Sequence, residues 1–187
     1  MVKTLSKILM LASFFMVLVI TGCSKDDKES ATGKITGSFT YDGNSYTLTK
    51  GAIINFGDYD DLKSGFYNID LYLADDGLNI ETMSGEGNYL YFEMFSSSDK
   101  ALLSGTYDYA EPSAFTFDLG FVFINHQPGT NTGTTVEVYD GTVTISQSGS
   151  EYTITIDCED ETGKKITGTC QGSLKYYAEQ PWGEFKK

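Results

Sequence analysis

The sequence contains no arginine, and its 187 residues include a single histidine. All 13 basic residues are therefore lysines, and they face 26 acidic residues, which gives a net charge of −13. We do not expect the protein to bind nucleic acids, because a phosphate backbone requires a basic surface and arginine is the residue that most often contacts it. Sites that depend on several histidine ligands are excluded as well, since His126 has no second histidine to join it.

Proline is scarce, with 3 residues, whereas aromatic residues make up 14% of the chain. Between residues 33 and 177 no segment keeps the period of a helix, and apolar residues recur at every second position instead. We therefore predict one all-β domain over residues 34–177, an antiparallel β-sandwich or flattened barrel of about ten strands. A rounder, calycin-like barrel is the alternative, and residues 178–187 are expected to be a loosely packed tail.

The first residues have the pattern of an export signal. Lys3 and Lys7 precede a 13-residue run of apolar and small residues, Ile8 to Ile20, which is shorter than the roughly 20 residues of a transmembrane helix. The run ends in Ile20-Thr21-Gly22-Cys23, which resembles the lipobox of bacterial lipoproteins. The resemblance implies a signal peptide over residues 1–22 and a lipid on Cys23, which would anchor the protein to a membrane. An ordinary signal peptide with a coincidental cysteine is the alternative.

A charged segment follows at once, from Ser24 to Glu29. It resembles the acidic signal that sends lipoproteins of Bacteroidota to the outer face of the outer membrane, so the resemblance implies a position at the cell surface. Residues 23–33 are expected to form a flexible tether, and the rest of the chain loosely resembles the small all-β lipoproteins of that phylum, most of them of unknown function. Loss of the signal peptide would bring the net charge to −15.

Turn residues predict the pairing of several strands. Asp42-Gly43-Asn44 indicates a first hairpin, and a turn at Ser148-Gly149 would place Ile145 opposite Tyr152. Alternate residues from Phe115 to Phe123 form the densest apolar face of the chain. Val122 and Ile124 make the end of this strand apolar on both sides, which predicts a central strand.

The cysteines Cys158 and Cys170 would lie in an oxidising compartment, where a disulfide is the usual expectation. A three-residue turn at Glu161-Thr162-Gly163 instead pairs Cys158 with Ile166 and Ile154 with Cys170. The two cysteines then lie about 13 Å apart along the ladder, whereas a disulfide tolerates about 7 Å between Cα atoms. We therefore predict two buried free thiols.

Four aromatic residues on faces predicted to point outward form a candidate glycan-binding surface: Tyr72, Tyr89, Tyr91 and Phe95. Aromatic faces stack on the C–H surfaces of sugars. The alternative is that both faces of the sheet are covered, so that these rings belong to the packing.

Acidic residues supply the remaining candidates. Asp58, Asp60 and Asp61 share one loop and could bind calcium through oxygen ligands, although no bidentate glutamate completes the motif, and a solvated acidic turn is the alternative. Glu93 is the best candidate for a general acid, since it lies among aromatic residues, with an ordinary outward-facing glutamate as the alternative. His126 is expected to be a solvated loop residue.

Three functions remain after these exclusions, and none requires a cofactor. The first is a non-catalytic surface lipoprotein that binds a glycan or a protein partner. The second is a barrel that carries an apolar ligand, suggested by the Phe115 to Phe123 face and requiring an interior cavity of about 300 Å³ or more. The third is a glycoside hydrolase that uses two facing carboxylates about 5–9.5 Å apart.

Overall fold

The computed structural model describes residues 33–58 and 65–182. The predicted signal peptide, the predicted lipidation site Cys23, most of the predicted tether, and Asp60 and Asp61 lie outside these residues. Within the described ranges, no helix has the length and apolarity needed to cross a bilayer. The thirteen described strands are β1 Gly33–Tyr41, β2 Asn44–Asp58, β3 Tyr67–Ala74, β4 Leu78–Asn79, β5 Ser84–Gly85, β6 Gly87–Ser96, β7 Gly105–Tyr109, β8 Thr116–Gln127, β9 Thr132–Glu137, β10 Asp140–Ser148, β11 Glu151–Glu159, β12 Lys165–Ser173 and β13 Lys175–Tyr177.

Nine of the described strands form a closed barrel. Hydrogen bonds link them in the order β1-β12-β11-β10-β7-β8-β6-β3-β2, and the pairing of β1 with β2 closes the ring. The prediction of an all-β fold is confirmed, and the closed ring makes it a barrel. Two pairings depart from the expected antiparallel pattern, since β7 runs parallel to β8 and β13 runs parallel to β2.

The interior of the barrel is filled by side chains. Alternate residues of each strand point inward, and the largest fully buried ones include Phe39, Phe92, Phe117 and Tyr107. Burial of these apolar side chains is the main favourable term in folding, at roughly 25 cal/mol per Å² removed from water. The described part of the barrel interior is thus occupied by apolar side chains, and the apolar-carrier hypothesis stays a hypothesis.

The apolar face expected from Phe115 to Phe123 is divided between the two sides of the wall. In the pairing of β6 with β8, Glu93 is opposite Leu119 and Met94 is opposite Phe117, so Asp118 is an extra, bulged residue. A bulge shifts the alternation by one residue. Phe117 therefore points into the barrel, whereas Phe123 packs with the cluster on its outer surface. The prediction of a single apolar face is wrong for this reason.

A second apolar cluster covers the outside of β2, β3 and β6. It includes Ile54, Tyr72, Leu78 and Tyr89, with Leu78 supplied by the segment between β3 and β6. Trp182 packs on the same cluster and meets the ring of Tyr72 edge-on, with 5.5 Å between centroids. Trp182 belongs to the segment expected to be a loosely packed tail, of which the structure describes residues 178–182, and its side chain is partly buried against the outer wall.

The predicted turns are right at two hairpins and shifted at a third. Asp42 and Gly43 form a two-residue turn with positive φ angles of 48° and 78°, and Gly163 has the predicted left-handed φ of 78°. In the third hairpin Gln147, not Ile145, is opposite Tyr152, so the turn residues are Gly149 and Ser150. Gly149, with a φ of 62°, occupies the first central position, where a type II′ turn needs glycine.

Cys158 and Cys170 are buried free thiols, as predicted. The register is also the predicted one, with Cys158 opposite Ile166 and Ile154 opposite Cys170. Burial raises the pKa of each thiol to about 12, so neither is a reactive thiolate at neutral pH. Both act as small apolar side chains of the core.

Candidate functional site

Three carboxylates lie side by side on the outer wall, one each on β3, β6 and β8. Asp70 is directly opposite Glu93, and Asp118 is the bulged residue beside Glu93 on the next strand. Directly opposed residues of an antiparallel pair have Cβ atoms about 4.5–5.5 Å apart. We call these three residues, together with Asn68 and Tyr91, the acidic site.

Hydrogen bonds hold part of the site in place. Asn68 donates from Nδ2 to Glu93 Oε1 over 2.6 Å, which fixes the orientation of the amide. The Tyr91 hydroxyl donates to the Asp70 carboxylate. These contacts run diagonally across β3 and β6, so both strands are needed to build the site.

The site also contains acceptors that have no partner. Three buried side-chain oxygens in the described residues lack a hydrogen bond, and all three are here: Asn68 Oδ1, Asp70 Oδ1 and Asp118 Oδ1. Asp70 is the most enclosed of these residues, with 4% of its surface exposed. Buried polar atoms are nearly always paired, because an unpaired one costs about 1–3 kcal/mol.

Burial and like charge both oppose ionisation of the three carboxyl groups. Burial raises the pKa of Asp70 well above its ordinary value, and Glu93 and Asp118 add to the rise, against the hydrogen bond from Tyr91. Burial, followed by the charge of Asp118, also raises the pKa of Glu93. Burial and the charge of Glu111 raise that of Asp118. A cation bound here would reverse these shifts.

Two cavities open at the site. One, of about 190 Å³, is lined by Phe56, Asn68, Asp70, Tyr91 and Glu93. The other, of about 370 Å³, is lined by Asp118 with the segment from Tyr109 to Glu111. Phe56, in the lining of the smaller cavity, is 45% exposed, which is unusual for a phenylalanine. The acidic site is therefore reachable from solvent and has an aromatic edge.

The four aromatic residues proposed for glycan binding lie on the outer side of the wall, where they are largely covered. Tyr72 and Tyr89 belong to the second apolar cluster, and Phe95 is fully buried. Only Tyr91 is half-buried and reaches a cavity. The alternative that both faces are covered thus describes three of the four. The segment between β3 and β6 and the chain after β13 pack over Tyr72 and Tyr89, and the ring of Phe66 meets that of Phe95 edge-on.

His126 is not a solvated loop residue, which corrects the expectation for it. It lies near the end of β8, is 4% exposed, and its Nδ1 is 2.8 Å from the Tyr89 hydroxyl. Its Nε2 is 3.1 Å from Asn131 Oδ1, an acceptor, so Nε2 carries the proton and Nδ1 accepts from Tyr89. Both ring nitrogens are hydrogen-bonded within the fold, and the bond to Tyr89 links β8 to β6.

The candidate calcium loop is only partly described. Asp58 ends β2 and is exposed, while Asp60 and Asp61 lie outside the described residues. Among the residues that are described, no group of three or more His, Cys, Asp or Glu side chains has the arrangement of a metal site.

The acidic site combines Glu93 and Tyr91, which the sequence analysis singled out, with three residues that it did not: Asn68, Asp70 and Asp118. As an arrangement of unpaired acceptors and mutually repelling carboxylates beside an aromatic ring, it can bind a group that donates hydrogen bonds and carries positive charge. Its facing carboxyl groups with raised pKa values could also exchange protons with a bound molecule. Comparisons with models of protein families, with curated proteins and with solved structures found no match.

Proposed function

We propose that this chain is a lipid-anchored protein of the bacterial outer membrane, exposed at the cell surface, that binds a glycan or a protein partner without catalysing a reaction. The observation that carries the binding role is the clustering of the three unpaired oxygens of Asn68, Asp70 and Asp118. Buried acceptors are costly when unpaired, so their concentration beside an open cavity supports a site that a ligand completes.

The anchor rests on the residues that resemble a lipobox. The change Cys23→Ala should release the protein from membranes, because the anchor is the lipid on the thiol rather than the apolar run Ile8 to Ile20. Membrane and soluble fractions of cells expressing each form measure the effect, and Cys158→Ala, which alters a buried core thiol, is the matched control. Membrane pelleting of Cys23→Ala with the signal peptide removed would contradict the proposal. Antibody labelling of intact cells tests the surface position.

Binding at the acidic site can be tested before the ligand is identified. The full chain and the double variant Asp70→Asn, Asp118→Asn are compared on a glycan array and on an array of peptides. We expect signals that the double variant loses and that Asp157→Asn keeps, since Asp157 is an exposed carboxylate on β11, four strands from β3 around the barrel. Binding that is equal for all three forms would remove the acidic site from the proposed function.

A glycoside hydrolase is the second candidate, favoured by the direct opposition of Asp70 and Glu93 and by their raised pKa values. Retaining enzymes use carboxyl groups about 5–5.5 Å apart, one of them kept protonated as the general acid. Release of reducing sugar from polysaccharides, abolished by Glu93→Gln and kept by Asp157→Asn, would establish this candidate. The absence of hydrolysis of any polysaccharide that the array shows to be bound would reject it.

A further inference from the structure

We infer that the acidic site binds the guanidinium group of an arginine side chain presented by a partner protein. The inference rests on the proposed binding function and specifies the chemistry of the ligand. It follows from the acceptors of the site, from its charge and from the shape of its aromatic edge.

The unpaired acceptors are on separate residues, and two of these residues, Asn68 and Asp70, line one cavity. Asn68 and Asp70 are two residues apart on the outer face of β3, about 6.6 Å along the strand, and each has one unpaired oxygen. Glu93 lies across from Asp70 and lines the same cavity. A ligand that fills this space must donate several hydrogen bonds in different directions.

Among the described residues, the charged groups found to act on the carboxyl groups of the site have one sign. The charged groups that act on the pKa values of Asp70, Glu93 and Asp118 are each other and Glu111, all carboxylates. The ion pairs of Lys164 with Asp42 and of Lys165 with Glu159 lie elsewhere, in two turns and on β11 and β12. A positive ligand would both pair the free oxygens and remove the repulsion among the carboxylates.

A guanidinium group meets these requirements better than a compact cation. It has five N–H donors in a planar fork, so it can bond to acceptors that do not converge on one point. It also stacks on aromatic faces, and the smaller cavity has the half-buried ring of Tyr91 and the exposed ring of Phe56 in its lining. This chain contains no arginine, so the group must come from another protein.

The test uses the full chain and two blocked tripeptides, Gly-Arg-Gly and Gly-citrulline-Gly, which differ in charge but scarcely in shape. Binding is followed by NMR through the Asn68 side-chain amide, which lies in the site. We expect the arginine peptide to bind and the citrulline peptide not to bind. Asp70→Asn and Glu93→Gln should each weaken arginine binding about tenfold or more, because a charge-assisted hydrogen bond is lost. Asp157→Asn should leave it unchanged.

Equal binding of the two peptides would overturn the inference, as would unchanged arginine binding in both site variants. A third arm compares glucosamine with N-acetylglucosamine, and site-dependent binding of glucosamine in the absence of arginine binding would assign the site to an amino sugar instead. That outcome would reject the arginine and leave the proposed function standing. If no array ligand and no probe depends on Asp70, both fail together.

Discussion

Two aspartates are buried in the part of the barrel that the structure describes, and they differ in how fully their carboxylate oxygens are hydrogen-bonded. Asp160, in the turn between β11 and β12, is 7% exposed and has a partner for both carboxylate oxygens. Its Oδ1 accepts from the backbone N–H and hydroxyl of Thr162 and from the backbone N–H of Lys164, and its Oδ2 accepts from the Tyr41 hydroxyl over 2.7 Å. Asp70, in the acidic site, is 4% exposed and leaves one oxygen unpaired.

The pKa values of the two carboxyl groups follow from this difference. Burial opposes the ionisation of Asp160, but the hydrogen bonds from Thr162, Tyr41 and Lys164 outweigh it and lower its pKa to about 2. Burial dominates at Asp70, where neighbouring carboxylates raise the pKa further and a single hydrogen bond from Tyr91 opposes them. The hydrogen-bond partners thus distinguish a carboxylate that locks a turn from one that the fold leaves available to a ligand.

The largest effect is expected at the locked turn. Asp160→Ala should lower the free energy of unfolding by about 2–4 kcal/mol at pH 7, because it removes several hydrogen bonds to a charged acceptor and leaves the buried Tyr41 hydroxyl without its acceptor. Urea denaturation of both forms measures the loss. Because the folded pKa lies below the unfolded one, the contribution of Asp160 is complete above about pH 4 and is lost as the pH falls towards about 2.

The proposed difference between Asp160 and Asp70 would be contradicted if Asp160→Ala lowered the free energy of unfolding by less than about 0.5 kcal/mol at pH 7. The difference would also be contradicted if this loss of unfolding free energy did not become smaller between about pH 4 and pH 2. Asp157→Ala, on an exposed position of the preceding strand, is the control and should have little effect.

How far each site could be predicted depends on the distance along the chain between its parts. The turn that contains Asp160 is local, and Gly163 with the alternation on either side was enough to set its register. The acidic site joins β3, β6 and β8, whose order in the barrel no local pattern reveals. The bulge at Asp118 made the site harder to predict, because the alternation from Phe115 to Phe123 is unbroken in the sequence and assigned that whole stretch to one face of the sheet.

One signal of the acidic site was nonetheless present in the sequence. Asp70 interrupts the strand from Ile69 to Leu73, whose residues are otherwise apolar or aromatic and are buried on both faces. An acidic residue in such a strand is either paired or functional, and this criterion selects Asp70 directly. Asn68 and Asp118 could not be found in this way, since they are polar residues at half-exposed positions.

A smaller effect, of the opposite sign, is expected at Asp70. Asp70→Asn should raise the free energy of unfolding by about 1 kcal/mol at pH 7, because the amide keeps an acceptor for Tyr91 and replaces a carboxyl group whose ionisation is opposed by burial and by the neighbouring carboxylates. The folded pKa of Asp70 lies above the unfolded one, so the wild-type protein loses stability as the pH rises through that interval. The gain in the variant should therefore be absent below about pH 4 and grow towards neutral pH.

Thermal and urea unfolding from acidic to neutral pH measure this gain, with Asp157→Asn as the control of equal charge change. A loss of stability comparable to that of Asp160→Ala would mean that Asp70 is a structural carboxylate like Asp160. It would also weaken the case for a ligand at the acidic site.

The smallest effect is expected from the one hydroxyl that supports Asp70. Tyr91→Phe keeps the ring on the outer wall and removes the hydrogen bond to the carboxylate, which should cost about 0.5–1 kcal/mol at pH 7. The loss is limited, because Asp70 already favours its protonated form and can respond by taking up a proton. In the Asp70→Asn background the same change should cost less, since a neutral amide is a weaker acceptor than a carboxylate. A double-mutant cycle of unfolding free energies measures this coupling, and a coupling as large as the cost of Asp160→Ala would show that Tyr91 and Asp70 form a second locked pair.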